Sequence, residues 1–106
     1  MGRRLREARE RRGVSQRRLG ILAGIDEASA SPRVNQYETG KRNPDPSTAK
    51  RLARVLGVPT PYLYAEDDVL ASWILAFDLV TPTVRTKVLR KIEGVLRRKS
   101  SRGQTG

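Results

Sequence analysis

Apolar residues recur at three- and four-residue spacing along most of the chain and nowhere alternate with period two, so helices and no sheet are expected. Leu5 and Ala8 share one face of the Arg-rich segment 3–12, which Gly13 stops. Ser15 is placed to cap a second helix, Gln16 to Ala23, in which Leu19, Leu22 and Ala23 repeat at helical spacing before Gly24. A third helix has three candidate caps, Asp26, Ser29 and Ser31. Proline is tolerated in a first turn and costs about 3 kcal/mol deeper in a helix. Pro32 therefore predicts a start at Ser31-Pro32, with Ser29 nearly as good, and a helix to about Thr39 with Val34 and Tyr37 inward and Gly40 closing it.

Asp45-Pro46-Ser47-Thr48 opens a fourth helix bearing Leu52, Ala53, Val55 and Leu56, and Thr60-Pro61 opens a short fifth through Tyr62, Leu63 and Tyr64. After Glu66-Asp67-Asp68 the pattern changes to two amphipathic stripes. Val69, Leu70, Trp73, Ile74 and Phe77 form one; Thr81-Pro82 starts a helix bearing Val84, Val88, Ile92, Val95 and Leu96. The expectation is an all-α fold: a five-helix domain over 1–65, a helical hairpin over 66–99, and a polar tail, 100–106, expected to be disordered.

Charge narrows the partner. Of 106 residues, 22 are Lys or Arg and 11 are Asp or Glu, a formal net charge of +11, which suits a polyanion built of phosphates. Cys and His are both absent. Thiolate and imidazole metal sites and the usual nucleophile–base pairs therefore cannot be assembled, and neither an enzyme nor a metal or other cofactor is expected. Glu66, Asp67 and Asp68 suit the N-terminal dipole of the helix that follows them better than a metal-dependent nuclease centre. No apolar run follows the charged N-terminus and none approaches the roughly 20 residues that span a bilayer. Arg6 stands where a myristoylation motif at Gly2 would want Ser or Thr. The expected location is cytoplasmic, with no membrane partner.

The spaced positions Arg3-Arg4-Leu5-Arg6-Glu7-Ala8-Arg9, Gly13-Val14-Ser15-Gln16, Leu19, Leu22-Ala23-Gly24-Ile25, Val34, Tyr37-Glu38, Gly40-Lys41-Arg42-Asn43-Pro44 and Leu52-Ala53 through Leu56-Gly57-Val58 closely resemble the Cro/repressor-type, or xenobiotic-response-element, helix-turn-helix family. The resemblance covers about residues 3–65. It implies five helices, the second and third forming the helix-turn-helix and the third lying in the DNA major groove. One departure stands out: the stretch from Gly24 to Tyr37 is about four residues longer than in the family, about one helical turn. Glu27-Ala28-Ser29-Ala30 either lengthen the turn or add a turn to the start of the recognition helix.

With Val34 and Tyr37 inward, Arg33, Asn35 and Gln36 are left outward, types that pair with guanine or adenine edges. The resemblance puts Gln36 on a base-reading position, with Ser31 and Pro32 as companions. Gln16 and Arg17 open the second helix, where an amide, a cation and free N–H groups suit phosphate. Lys41, Arg42 and Asn43 follow the third helix and suit the backbone of one strand. The resemblance also implies an Arg9–Glu38 pair tying the first helix to the third. The remaining arginines, Arg3, Arg4, Arg6, Arg11, Arg12 and Arg18, are expected on solvated faces.

The resulting expectation is a sequence-specific double-stranded DNA-binding regulator, a repressor acting as a dimer on a palindromic operator. Trp73, Ile74, Phe77, Val84, Val88, Ile92 and Val95 would form the dimer contact, since they exceed what a small domain needs to close its core. The alternative is an antitoxin-like chain whose C-terminal helices bind a partner protein and whose DNA binding is autoregulatory.

Overall fold

The computed structural model describes the backbone of residues 1–105 and the side chains of residues 1–100. The described residues form α1 (Gly2–Arg12), α2 (Gln16–Leu22), α3 (Glu27–Thr39), α4 (Pro46–Leu56), α5 (Thr60–Tyr64), α6 (Asp68–Leu79) and α7 (Pro82–Thr105), with no strand among them. None of these helices is long and apolar enough to cross a membrane.

The chain divides into two compact units, Met1–Leu75 and Ala76–Gly106. In the first, α1 packs on α3, α4 and α5, α2 packs on α3 and α4, and α4 packs on α5. Leu5, Leu19, Val34, Leu52, Tyr62 and Leu63 are its largest fully buried side chains. The unit runs past the expected end at residue 65 because Ala71 is buried in its core and Ile74 and Leu75 pack against it. Ile74, expected among the dimer contacts, is thereby partly committed to the domain core.

Local chemistry explains the helix ends. Ser15 Oγ accepts from the Arg18 N–H at 3.0 Å and Asp45 Oδ1 from the Thr48 N–H at 2.7 Å, so two of the expected caps are made. Gly40 closes α3 in the left-handed region at φ 79, where a side chain would be strained.

The start of α3 differs from the Ser31-Pro32 expectation. The helix begins at Glu27 with Asp26 at the N-cap, and Pro32 lies inside it. The four extra residues are therefore a helical turn. The core explains why: Ala30 is fully buried on the same face as Val34 and Tyr37. A Cβ on Gly20 would lie 2.7 Å from that of Ala30, so α2 and α3 meet where only glycine permits the approach. This packing offsets the hydrogen bond that Pro32 cannot give the Ala28 carbonyl.

Arg4 also departs from expectation. It is 6% exposed, with Nε donating to the Ala65 carbonyl at 2.7 Å and Nη2 to Asp68 Oδ1 at 2.7 Å. Its hydrogen bond to Asp68 raises the Arg4 pKa, and the same contact, then that of Arg3, lowers the Asp68 carboxyl below its ordinary value. The guanidinium thus ties α1 to the start of α6. Asp67 Oδ1 accepts from the Leu70 N–H at 2.8 Å, so the acidic run does serve the N-terminus of α6.

In the second unit, Thr81 Oγ1 accepts from the Val84 N–H at 3.3 Å at the start of α7. Arg85 lies 4.1 Å from the centre of the Phe77 ring and donates to the Phe77 carbonyl at 2.6 Å. The backbone of α7 continues to Thr105, past the Lys99 end expected for it. For the tail expected over 100–106, Gly106 and the side chains of 101–106 lie outside the described residues.

Candidate nucleic-acid interface

The interface begins with what orients α3. Arg9 meets Glu38 through two parallel hydrogen bonds, Nε to Oε2 at 2.8 Å and Nη2 to Oε1 at 3.0 Å, and its Nη1 donates to the Val14 carbonyl at 3.1 Å. The Glu38 side chain is only 4% exposed and that of Arg9 14%. The fork geometry fixes angle as well as distance, so α1 and the turn that leads into α2 are locked to the last turn of α3. Hydrogen bonding to Glu38 raises the Arg9 pKa, against a smaller opposing effect of burial.

With that face of α3 occupied, Ala28, Pro32, Asn35 and Thr39 are left exposed. Their spacing of four, three and four residues makes them one stripe. Gln36 and Arg33 are half-buried along one side and Ser31 along the other. All five expected base-reading residues, Ser31, Pro32, Arg33, Asn35 and Gln36, therefore lie on α3 with at least partial exposure. Asn35 and Pro32 are the most outward.

The expected phosphate contacts are less free than the sequence implied. Gln16 Nε2 donates to Asn35 Oδ1 at 3.2 Å and to Glu38 Oε1 at 3.5 Å, so Gln16 also positions a neighbour on α3. Arg17 is ion-paired with Glu27, a partner supplied by the extra turn. Lys41, Arg42 and Asn43 are exposed, but the Arg42 N–H is bonded to the Gln36 carbonyl at 3.2 Å and the Gly40 N–H to the Tyr37 carbonyl at 3.3 Å. The loop thus presents cationic side chains, with two of its backbone donors already bonded to α3.

Arg51 has a positioning role that sequence reasoning missed. Its Nε donates to the Ala23 carbonyl at 2.7 Å, joining α4 to the end of α2, while Nη1 reaches Ser47 Oγ at 2.6 Å. The only sequence signal was its place four residues after Ser47 on the capped helix.

Residues 1–63 match the helix-turn-helix domain family. The chain belongs to that family. Its α2 and α3 are the helix-turn-helix pair, and the extra turn of α3 lies within the matched region. Two Bacillus subtilis (strain 168) proteins are similar over this part: the SPbeta prophage-derived uncharacterized HTH-type transcriptional regulator YonR is 37% identical over 62 residues, covering 58% of this chain. The HTH-type transcriptional regulator ImmR is 33% identical over 69 residues, covering 65% of this chain. The chain spans about half the length of these relatives, 54% and 51%. The crystal structure of the transcriptional regulator BswR is similar over more of the helix-turn-helix chain, with a TM-score of 0.84 and 46% identity across 92% of this chain and 97% of that one. All three are named as regulators of transcription.

Proposed function

We propose that the protein binds double-stranded DNA sequence-specifically in the cytoplasm and regulates transcription, as a repressor that occupies an operator overlapping a promoter. The observation carrying this reading is the outward stripe of α3, held at a fixed angle by the Arg9–Glu38 fork and followed by the exposed cations Lys41 and Arg42. A helix so held, with polar groups outward and cations at its end, has what major-groove reading requires: base-edge donors and acceptors beside a phosphate grip. The formal charge of +11 adds a long-range attraction to the same partner.

The operating form in this proposal is a homodimer on a palindrome. Trp73, Phe77, Val84, Val88, Ile92 and Val95 are between 37% and 59% exposed in the single chain, and apolar stripes of that kind favour an interface. Two copies reading half-sites roughly 34 Å apart would give one short helix the specificity it lacks alone. The same exposed stripes favour a second reading, in which a different protein covers them and the chain is an antitoxin-like autoregulator. Selection of bound sequences from a random duplex pool, followed by sizing of the complex, tests both. A palindromic consensus bound by two copies supports the dimer. Recovery of no consensus would overturn the DNA-binding reading, and a stable complex containing one copy and one foreign chain would favour the antitoxin-like alternative.

A further inference from the structure

The outward stripe of α3 is not uniformly polar. Ala28 and Pro32, four residues apart, lie one above the other and are both exposed. Neither joins the core, to which Ala30, Val34 and Tyr37 are committed. Pro32 stands inside the helix, where proline removes a hydrogen bond and crowds the preceding turn, so it is no aid to stability there. The turn that carries Ala28 is nevertheless held firmly: Ala30 is pressed against Gly20, and Glu27 is paired with Arg17. The next outward residue is polar, Asn35.

Among the groups that base pairs present in the major groove, the thymine C5 methyl is the apolar one. On the DNA-binding reading above, on which this inference rests, we propose that Ala28 and Pro32 form a small apolar patch that reads a thymine methyl, beside the base pair facing Asn35. Two small side chains match one methyl and offer too little area for a protein surface. The cations at the far end of α3, Lys41 and Arg42, likewise favour a phosphate-bearing occupant. The extra turn of α3 thereby becomes a specificity element: it lengthens the read sequence by a thymine that a helix starting at Ser31 would not reach through Ala28.

The test uses the full chain and a duplex selected from a random pool. Each invariant thymine is replaced in turn by deoxyuridine, which deletes only the methyl, and binding is measured for the wild type, for Ala28→Ser and for Pro32→Ala. At one thymine per bound α3, the replacement is expected to weaken wild-type binding roughly three- to fivefold, the size set by burying one carbon. For each variant that penalty should shrink towards unity. Thermal melting establishes that the variants fold; both positions are exposed, so Ala28→Ser alone suffices if Pro32→Ala alters the helix. Equal penalties in wild type and variants, or no thymine whose methyl matters, would overturn the proposal while leaving DNA binding intact. A wild type that selects no sequence would remove the DNA-binding reading itself.

Discussion

A methyl group on Gly20 would lie 2.7 Å from the Cβ of Ala30, 2.9 Å from its Cα and 3.0 Å from its carbonyl oxygen. Side chains cannot rotate out of that overlap, since part of it is backbone, so α2 and α3 would have to separate. Gly20→Ala is expected to cost about 1–3 kcal/mol, the usual range for overfilling a packed site, measured by urea unfolding. Adding Ala30→Gly should recover only part of the loss, because the Cα and carbonyl clashes remain.

Glu38 and Arg9 form the most buried ion pair of the described residues. Cutting back Glu38 leaves the Arg9 guanidinium with the Val14 carbonyl in place of a carboxylate. Glu38→Ala is expected to cost roughly 3–5 kcal/mol. Arg9→Ala and the double variant complete the cycle, and a double variant less destabilised than the sum of the singles shows the coupling. Additive small losses would show that the pair does not hold α3.

On the DNA-binding reading, Gln36 and Lys41 should behave differently. Gln36→Ala is expected to lose about 1–3 kcal/mol of discrimination at one base pair, whereas Lys41→Ala should weaken all duplexes alike and lower the salt slope by about one. Binding of the selected and mismatched duplexes across a salt series separates the two. An unchanged consensus in Gln36→Ala would count against its base-reading role.

Acid should weaken the fold in part through two named carboxylates. Asp45, held chiefly by the Thr48 N–H, and Asp68, held chiefly by Arg4, both have pKa values lowered in the folded chain. Each therefore binds fewer protons folded than unfolded, and its stabilisation is present above the unfolded value of about 3.9 and is lost as pH falls through the lower folded value. Thermal stability is expected to fall below about pH 4. Asp45→Asn and Asp68→Asn should each reduce that acid-side loss.

Val88 and Ile92, 40% and 37% exposed in the single chain, test the homodimer without disturbing the core of the first unit. Val88→Asp with Ile92→Asp is expected to give a monomer in analytical ultracentrifugation at micromolar concentration, with the palindrome bound more weakly and half-site binding retained. A wild type that sediments as a monomer would rule out this interface.

Local signals made most of the fold legible. Ser15, Asp45-Pro46 and the stop glycines carry information that depends on their immediate neighbours, and the structure uses them as read. The start of α3 is ambiguous in the sequence: the local cost of Pro32 favours Ser31, while the four extra residues leave an added turn from Asp26 open, and the structure takes the latter. The opposing signal, Ala30 continuing the Val34 and Tyr37 face by one turn, acquires its weight only from Gly20 on another helix. The burial of Arg4 is not legible for a similar reason: its acceptors at Ala65 and Asp68 are some sixty residues away in sequence, and nothing beside Arg4 announces them. The outward residues of α3 are legible from helical spacing, whereas the internal partners of Gln16 and Arg17 depend on contacts between helices.

The hydrogen bond from the Arg42 N–H to the Gln36 carbonyl braces the cationic loop against the last turns of α3. For a groove reader this couples travel to inspection. On the DNA-binding reading, with Lys41 and Arg42 on phosphates of arbitrary sequence, the brace would hold Gln36 and Asn35 at one height above the bases, so the posture used for sliding would already be the posture used for reading. On that reading the protein would discard a wrong site without first refolding its reading head, and its search would be limited by release from phosphates, which salt controls.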